Sequence, residues 1–487
     1  MFGRAARPIL IAGVSTLVLV CVRPPATWAA APSPSPLATT PEAVVWGQFQ
    51  QDSGHGGEAA ASVQAPLRQS WRATAPGTGT GRGTSGAVIA GDLAIAVNRD
   101  HVFAVSLSTG SIEWEIDRAE GSISMPAIAA SDAPNSRDVL VYTEGNTTPT
   151  AAVVAVDVAD QTELWRESLK AVSNSGVTIS DGDVFLGDRS GNLYGFRLQD
   201  GSALWSPIGL AGGSIDAPPA ASSSALVVTE RNHDNGSVKI DAVDPATGTG
   251  LWSYSAGVSA GTATVATLDE RNAVFGIGGE QRVRALGLTS KGTATTAWST
   301  HTRSTFSPLA SAAEADGKVF IVSTTASDAA VYALNASDGT KLWDFQFQEP
   351  AIETSPIVIG NTVYLGTDDG LVAGIDIASG LLIWQAETGA GAIGPLAAAA
   401  DELIASKRGS QGGLVAFRTD PTGMRLQIES PTKLHLGTVL VRYAIALVVV
   451  FAVVFGGLLL LRRDRPGIVV PPAEEAAGST PPEPEET

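Results

Sequence analysis

The sequence SPIVIGNTVYLGTDDGLVAGIDIASGLLIW, residues 355–384, contains one complete structural repeat of this 487-residue chain. Its apolar runs are SPIVIG, NTVYLGT, LVAGIDI and LLIW, and each of them is only four to seven residues long. Turn-forming residues such as DDG and ASG separate successive runs. Short apolar runs divided in this way are typical of antiparallel strands. The stretch therefore predicts a sheet of four short antiparallel strands.

Tryptophans repeat the pattern along the chain at spacings of 40 to 51 residues. They occur at Trp71, Trp114, Trp165, Trp205, Trp252, Trp298, Trp343 and Trp384. A period of about 40–50 residues with alternating apolar patterning is typical of propeller blades. We expect these tryptophans to be structural, each on the outer strand of a blade, where a large ring fills the wedge between neighbouring blades.

Glycines and short polar residues mark the turn before several of these tryptophans. Glycine lies four residues before its tryptophan at Gly110, Gly201, Gly248, Gly339 and Gly380. A hairpin turn of this kind needs a residue with positive φ, which glycine adopts without steric cost. Asp244, Asn335 and Asp376 lie four residues before their glycine, where a side-chain oxygen can accept bonds from the turn.

Eight units can be counted, each a set of three strands ending before a tryptophan or, in the last unit, before Gln427. The strand around Trp71 precedes the first set, and a closed ring needs one strand to complete its last blade. We therefore assign Trp71 to the blade of residues 393–417. The predicted fold is an all-β, eight-bladed propeller of four-stranded antiparallel blades, spanning residues 44–430.

The N-terminal residues 1–31 have the features of a secretory signal peptide. Arg4 and Arg7 precede a 15-residue apolar run, Pro8–Val22, and small residues follow at Ala29 to Ala31. Two alternatives stay open, an uncleaved anchor and lipid attachment at Cys21. Residues 32–43 form a linker rich in proline, serine and threonine.

The C-terminal region predicts one transmembrane helix at residues 443–461, which contain no charge over 19 positions. Arg442 precedes this run, and Arg462, Arg463 and Arg465 follow it. The excess of arginine after the span places the C-terminus in the cytoplasm. Residues 431–442 are a juxtamembrane segment, and the proline- and glutamate-rich residues 462–487 a disordered cytoplasmic tail. We expect a single-pass protein of the cytoplasmic membrane, with its propeller outside.

Composition and motifs exclude several kinds of site. With 49 Asp+Glu against 31 Lys+Arg, the net charge of −18 argues against nucleic-acid binding. The single cysteine excludes an intrachain disulfide and a cysteine-rich zinc site. The five histidines show no metal-ligand spacing, and no nucleophile motif occurs. The segment 232–236, NHDNG, resembles the start of a calcium loop but lacks a closing glutamate. We predict no cofactor, no metal and no enzymatic activity.

The repeat resembles the pyrroloquinoline-quinone-type propeller repeat, S-P-V-V…V-Y-x-G-T-x-D-G-x-V-x-A-L-D-x-x-T-G-x-x-x-W, which residues 355–384 match nearly throughout. The stretch VVWGQFQQDSGHGG, with Trp46, Phe49, Asp52 and His55, is similar to one that often precedes such propellers. The resemblance covers residues 44–427. The resemblance implies the propeller fold. The family that it points to includes quinoprotein dehydrogenases and also a cofactor-free outer-membrane assembly lipoprotein.

The dehydrogenases of this family often place a vicinal cysteine pair over the quinone, and the chain after residue 31 has no cysteine. We therefore expect a non-enzymatic protein-interaction or assembly scaffold with a protein partner in the cell envelope. The alternatives are a ligand-binding sensor that signals through a partner and a quinoprotein oxidoreductase.

Long loops between second and third strands indicate the binding face. The longest are predicted at Glu144–Thr150 and Glu230–Ser237, and elaborated loops on a rigid scaffold are where binding residues usually occur. The candidate partner-binding residues are Arg231, Asn232, His233 and Asp234. We expect these loops to share one face of the ring with the segments that link the blades.

Overall fold

The computed structural model describes residues 44–77, 83–130, 137–256, 267–269, 271–302, 305–306, 310–324, 328–348 and 351–430. No helix among these residues is long and apolar enough to cross a membrane. The predicted signal peptide (1–31), linker (32–43), juxtamembrane segment (431–442), transmembrane helix (443–461) and tail (462–487) lie outside the described residues. Those segments and their boundaries stay predictions.

The described part of the chain is built from β-strands, with two short 3₁₀-helices at Thr148–Thr150 and Gly409–Gln411. The strands are β1 (Val44–Trp46), β2 (Glu58–Ala59), β3 (Leu67–Thr74), β4 (Val88–Ala90), β5 (Leu93–Val97), β6 (His101–Ser106), β7 (Ile112–Asp117), β8 (Ala127–Ala130), β9 (Asp138–Glu144), β10 (Ala152–Asp157), β11 (Glu163–Ser168), β12 (Thr178–Ser180), β13 (Asp183–Gly187), β14 (Asn192–Arg197), β15 (Ile208–Gly209), β16 (Ala220–Ala221), β17 (Leu226–Arg231), β18 (Val238–Val243), β19 (Gly250–Ala256), β20 (Thr267–Leu268), β21 (Asn272–Ile277), β22 (Arg282–Gly287), β23 (Gly292–Thr293), β24 (Thr296–His301), β25 (Ala313–Ala315), β26 (Lys318–Thr324), β27 (Asp328–Asn335), β28 (Lys341–Gln348), β29 (Ile357–Ile359), β30 (Thr362–Gly366), β31 (Leu371–Asp376), β32 (Leu382–Glu387), β33 (Ile393–Ala398), β34 (Glu402–Lys407) and β35 (Gly413–Thr419).

The described strands form eight sheets, which confirms the predicted eight-bladed, all-β propeller. In ring order, the blades are β4–β7, β8–β11, β12–β15, β16–β19, β20–β22 with β24, β25–β28, β29–β32, and β33–β35 with β3. Each blade is an antiparallel four-stranded sheet. Added strands lie beside three of them: β1 beside β4, β2 beside β29 and β23 beside β19. At seven of the eight junctions between blades, all except that between the fifth and sixth, the described first strands contact one another around the centre, and the contact of β33 with β4 completes the circle.

Burial follows the position of a strand within its blade. All five residues of β30, a second strand, are buried, whereas none of the six residues of the outermost β7 is fully buried. An inner strand has a neighbouring blade on both faces, so its apolar residues form continuous runs rather than an alternation. The core is therefore a series of apolar layers between blades.

The ring closes through β3, as the sequence predicts. This strand pairs with β35 in antiparallel register from Leu67–Thr419 to Thr74–Gly413, so it becomes the outermost strand of the eighth blade. A strand from near the start of the described chain thus pairs with the last strand of the ring. The edge of β35 is therefore covered by β3 rather than left open. After β35 the chain turns back along the seventh blade, where Ile428 and Leu382 exchange backbone hydrogen bonds of 3.1 and 3.0 Å.

Each of seven blade tryptophans docks on the following blade. The indole N–H donates to a backbone carbonyl at 2.7–3.1 Å, in the pairs Trp71 to Leu107, Trp165 to Leu198, Trp205 to Pro245, Trp252 to Leu288, Trp298 to Ala336, Trp343 to Ile377 and Trp384 to Leu67. Five of these rings also lie against the turn glycine of that next blade, in the pairs Trp71–Gly110, Trp165–Gly201, Trp205–Gly248, Trp298–Gly339 and Trp343–Gly380. These glycines have φ between 69° and 75°. The turn therefore needs glycine both for its conformation and for the space that the ring occupies.

The third and second blades show two of the departures from the predicted pattern. Trp205 lies outside any strand, because the outermost strand of its blade is only the two-residue β15, and the ring is half-buried. The prediction that Trp205 stands on an outer strand is wrong, although its indole still docks on the next blade. In the second blade Gln161 takes the turn position with a φ of 59°, and its side-chain amide donates to the Val158 and Ala159 carbonyls. Those two bonds help a residue with a side chain hold a conformation that usually favours glycine.

Candidate functional site

The segment of residues 46–59, here called the channel segment, crosses the centre of the ring. It hydrogen-bonds to the first strands, or the residues next to them, of five different blades. The pairs are Gly47 with Ile128, Gln48 with Ile179, Ser53 with Ala221, Gly56 with Glu314, and Gln50 with Pro356. Its last two residues then add β2 as a parallel strand beside β29. The central channel is therefore crossed by the chain's own backbone.

The motif with Trp46, Phe49, Asp52 and His55 forms this segment and explains its tight path. The backbone at His55 has a φ of 64°, and the Asp52 carboxylate accepts a 3.0 Å bond from the Gly56 N–H. Burial raises the pKa of Asp52 above its ordinary value, against the lowering effect of backbone bonds from Gly56 and its neighbours. His55 is fully buried and meets Phe49 edge-on, with ring centroids 5.0 Å apart. His55 is thus a packing residue of the channel segment.

A cavity of about 270 Å³ lies over this segment, at one end of the channel. Phe49, Met125 and Ala217 form an apolar cluster that makes its floor. Its walls come from the segments that link successive blades, including residues 118–126, 169–177 and 210–219, and we call this end of the ring the linker face. The cavity is called the central cavity below.

Among the described residues, the rim of the central cavity carries more negative than positive charge. Asp216 accepts a 3.2 Å bond from the Asn174 amide, and the Arg408 guanidinium pairs with Glu353 at 2.9 Å. All four side chains line the cavity, so two carboxylates face one guanidinium. Ile123 also lines it and is 42 % exposed, which gives the mouth an apolar contact point.

The predicted long loops lie on the linker face. The Glu144 carboxylate accepts a bond from the Ala119 N–H, and Arg231 exchanges two backbone bonds of 2.9 Å with Ser214. In both cases a loop between second and third strands meets a segment that links two blades. The prediction that these loops lie on the same face of the ring as the segments that link the blades is therefore confirmed.

The four candidate partner-binding residues have different environments. Arg231 is the last residue of β17 rather than part of the loop, so its inclusion in the loop is wrong. The side-chain oxygen of Asn232 accepts bonds from the N–H groups of Asp234 and Asn235, which gives it a structural role in the turn. His233 and Asp234 are exposed. Whether these residues contact a partner stays a prediction.

His233 connects the loop to the central cavity. Its Nε2 lies 2.9 Å from Asp216 Oδ2 and 2.8 Å from Ser214 Oγ. A catalytic triad requires the carboxylate on one ring nitrogen and the hydroxyl on the other. Here both partners meet the same nitrogen, so the cluster anchors the loop and does not activate Ser214. Sequence reasoning missed Ser214 and Asp216 because they lie about 17 to 19 positions before the loop.

A buried acidic pair lies directly below the same loop. Burial, and then the neighbouring Asp241, raise the pKa of Glu230 to about 8. Burial acts to raise the pKa of Asp241 as well, but hydrogen bonds from Glu230, Lys239 and Ser253 lower it below its ordinary value. At neutral pH Glu230 is therefore protonated and donates to the Asp241 carboxylate, which also pairs with Lys239. Sequence patterning contained no signal for this pair.

The donors at the central cavity do not fit a quinone and its calcium ion. A quinone that carries several carboxylates needs positive charge around it, and Arg408 is already paired with Glu353. Among the described residues no group of three or more His, Cys, Asp or Glu side chains could hold a metal ion. The Asn232 side-chain oxygen in the calcium-like NHDNG segment is turned to backbone N–H groups of its own turn.

Solved structures share this architecture. The crystal structure of BamB from Moraxella catarrhalis superposes with a TM-score of 0.53 at 18% identity, covering 72% of this chain and all of that one. The quinohemoprotein alcohol dehydrogenase from Comamonas testosteroni superposes with a TM-score of 0.59 at 13% identity, covering 80% of this chain and 83% of that one. At such identities the likeness shows the fold alone.

Sequence comparisons identify the family. The outer membrane protein assembly factor BamB of Shewanella oneidensis is 23% identical over an alignment of 253 residues, which covers 47% of this chain and 51% of that protein. The chain thus spans about half the length of the curated relative that it matches. The family described as outer membrane protein assembly factor BamB matches residues 56–207, 149–283 and 234–441. Since these matches together cover most of its 487 residues, the chain belongs to the BamB family of propellers.

Proposed function

We propose that this protein is a non-enzymatic scaffold of the bacterial cell envelope that holds a protein partner at its linker face. Membership of a family named for outer membrane protein assembly supports an assembly role. We further propose a single-pass anchor at residues 443–461 in the cytoplasmic membrane, with the propeller outside and the C-terminus in the cytoplasm. The arginines at 462, 463 and 465 support this orientation.

The observation that carries the proposal is the chemistry of the central cavity. An apolar floor of Phe49, Met125 and Ala217 lies beneath the rim. Among the described rim residues, the carboxylates of Asp216 and Glu353 outnumber the guanidinium groups. Concave sites with an apolar floor and a few polar groups at the mouth are favoured places for binding. A partner that fits would insert one apolar side chain and place a lysine or arginine near the rim.

The loop of residues 232–237 extends this surface. His233 is fixed to Asp216 on the rim, and the exposed Asp234 adds negative charge beside it. A cationic segment leaving the cavity would therefore pass over the loop. This arrangement supports the role of His233 and Asp234 as partner contacts.

A ligand-binding sensor is the second candidate, because about 270 Å³ approaches the volume of small-molecule pockets. The two candidates differ in what occupies the central cavity. Native mass spectrometry of the purified protein would reveal a retained small molecule if the protein is a sensor, whereas a scaffold should carry none.

Site-specific photo-cross-linking in intact membranes tests the scaffold directly. A photoreactive residue at position 123, on the cavity mouth, should give a discrete protein adduct that mass spectrometry identifies. Position 112 is the matched control, since Ile112 on β7 is 41 % exposed and Ile123 is 42 % exposed. Asp216→Asn should reduce the adduct at position 123. Equal adducts at both positions, or an adduct at 123 that Asp216→Asn leaves unchanged, would contradict the proposal.

A further inference from the structure

A second, smaller cavity lies in the eighth blade, and it differs from the central cavity in its chemistry. Its volume is about 90 Å³, and Arg72, Lys407, Ser410, Gln411 and Gly412 are among the residues that line it. None of the described residues that line this cavity also lines the central one. We call it the β34–β35 pocket, because the turn between those strands forms one side.

Lys407 is the buried cation of this pocket. Its side chain is 1 % exposed, and its ammonium group donates to Thr388 Oγ1 at 2.8 Å and to the Gly389 and Gly391 carbonyls at 2.9 and 2.7 Å. All three acceptors are neutral. Burial, and then the neighbouring Arg72, lower the pKa of Lys407 to about 8.

Arg72 brings a second cation to the same turn. Its guanidinium donates to the Thr388 carbonyl, next to the hydroxyl that Lys407 contacts. Within the part of the chain that the structure describes, no carboxylate forms an ion pair with either Arg72 or Lys407. Among the described residues, Asp369 is the acidic group whose charge acts to raise the pKa of Lys407, and the two side chains form no ion pair. Since a guanidinium has five N–H donors, most of those on Arg72 stay available to a further acceptor.

Two converging positive charges are costly where one of them is buried. Removing a charge from water carries a large penalty unless an opposite charge compensates for it, and like charges add repulsion. A carboxylate in the pocket would relieve both effects. The volume of about 90 Å³ is a third of that of the central cavity, at about 270 Å³, which suits a small group such as a carboxylate rather than a large ligand.

We propose that the β34–β35 pocket binds a carboxylate group, with Arg72 making the direct contact and Lys407 supplying charge from beneath. The planar guanidinium can meet both carboxylate oxygens at once. The exposed Ser410 and Gln411 at the pocket wall allow the rest of the ligand to leave toward solvent. The proposal stands apart from partner binding at the central cavity.

Thermal unfolding of the full-length protein in detergent tests this with sodium acetate, using sodium chloride at equal ionic strength as the reference. Acetate should raise the Tm in a saturable manner that chloride does not reproduce. N-acetylglycine and its amide separate the two sources of a carboxylate, a free small acid and a peptide C-terminus. A shift with acetate supports the free acid, and a shift with N-acetylglycine alone supports the peptide terminus.

Variants provide the second arm. Arg72→Gln should weaken the apparent affinity for the carboxylate at least tenfold. Arg68→Gln is the matched control, because Arg68 is exposed on the same strand, four residues earlier, and does not line the pocket. The proposal is overturned if neither acid shifts the Tm beyond chloride, if the amide acts as strongly as the acid, or if Arg68→Gln and Arg72→Gln reduce the shift equally.

Discussion

Trp343 of the sixth blade lies directly against Gly380 of the seventh, so that a Cβ at position 380 would be 2.8 Å from the indole Cδ2. The same indole donates a 3.0 Å bond to the Ile377 carbonyl at the start of that turn. One tryptophan therefore fixes the position of the next blade's turn through a hydrogen bond, and it leaves no room for a side chain at the turn glycine. Repeated around the ring, this contact joins neighbouring blades through their outer parts.

Gly380→Ala should therefore destabilise the protein by about 2–5 kcal/mol. The left-handed conformation costs a residue with a Cβ roughly 1–2 kcal/mol, and the contact with Trp343 adds an overpacking penalty of about 1–3 kcal/mol. Gly360→Ala is the matched control, because φ is 54° there and no atom lies within 4 Å of the place that the added methyl would occupy. Chemical denaturation should show a clearly smaller loss for Gly360→Ala, and equal losses would contradict the packing argument.

Trp384→Ala should cost about 3–5 kcal/mol, because the ring is buried against Tyr364 and Phe417 and its loss leaves a cavity. Trp205→Ala should cost at most about 2 kcal/mol, since part of that half-buried ring stays in water in the folded state. Denaturant midpoints of the two variants check this order. A larger loss for Trp205→Ala would contradict it.

Stability should fall as pH rises through the titration of Glu230. Its folded-state pKa of about 8 lies above the ordinary 4.5, so the folded state binds this proton more tightly. The resulting stabilisation is complete below about pH 4.5 and is lost as pH approaches about 8, by up to about 1.4 kcal/mol per pH unit. Asp241 acts oppositely, because its lowered pKa gives a stabilisation that is lost only on acidification below its ordinary range.

Glu230→Gln keeps a donor to Asp241 and removes the titrating proton. Its stability, measured by urea denaturation from about pH 5 to about pH 8, should depend less on pH than that of the native protein. Glu387→Gln, at an exposed position on β32, serves as the control and should keep the native pH dependence. Parallel curves for Glu230→Gln and the native protein would show that Glu230 does not titrate in this range.

His233→Ala together with Asp234→Ser should weaken partner capture at the linker face without unfolding the propeller, since both side chains are exposed. Asn232→Ala is expected to disturb the turn instead, because its side chain accepts two backbone bonds there. Circular dichroism separates the two effects, and the adduct at position 123 reports capture. Full capture by the double variant would remove this loop from the partner surface.

Protease added to intact spheroplasts should digest the propeller and spare the C-terminal tail. The expectation follows from the arginines at positions 462, 463 and 465, which favour the cytoplasmic side. A tag at the C-terminus reports the tail. Its loss without lysis would reverse the proposed orientation.

The ring was largely predictable because its repeat is local. The spacing of tryptophans and turn glycines, such as Gly380 before Trp384, identifies one blade at a time. The strand around Trp71 precedes the first complete set and is therefore the one that can close the last blade. Trp205 shows where the repeat misleads. This tryptophan and its glycine have the expected spacing, but the outermost strand of the blade is only the two-residue β15.

The site was much less predictable, because its residues come from different blades and become neighbours only when the ring closes. Asp216 and Glu353 lie 137 positions apart yet line one cavity, and no local pattern distinguishes them from other acidic residues. One weak signal existed: several lining residues directly precede a proline at the start of a first strand, as Ala217 precedes Pro218. Lys407, by contrast, looks like an ordinary strand residue, and only packing shows that it is buried.

The channel segment makes the propeller a cup rather than a tube. The backbone of this segment crosses the ring, and its Phe49 forms part of the floor of the central cavity. A group that enters the cavity from the linker face must therefore leave through the same mouth. Two occupants of this mouth would then compete rather than follow one another. A partner held there can be released by a rival for the same opening, without any change in the ring itself.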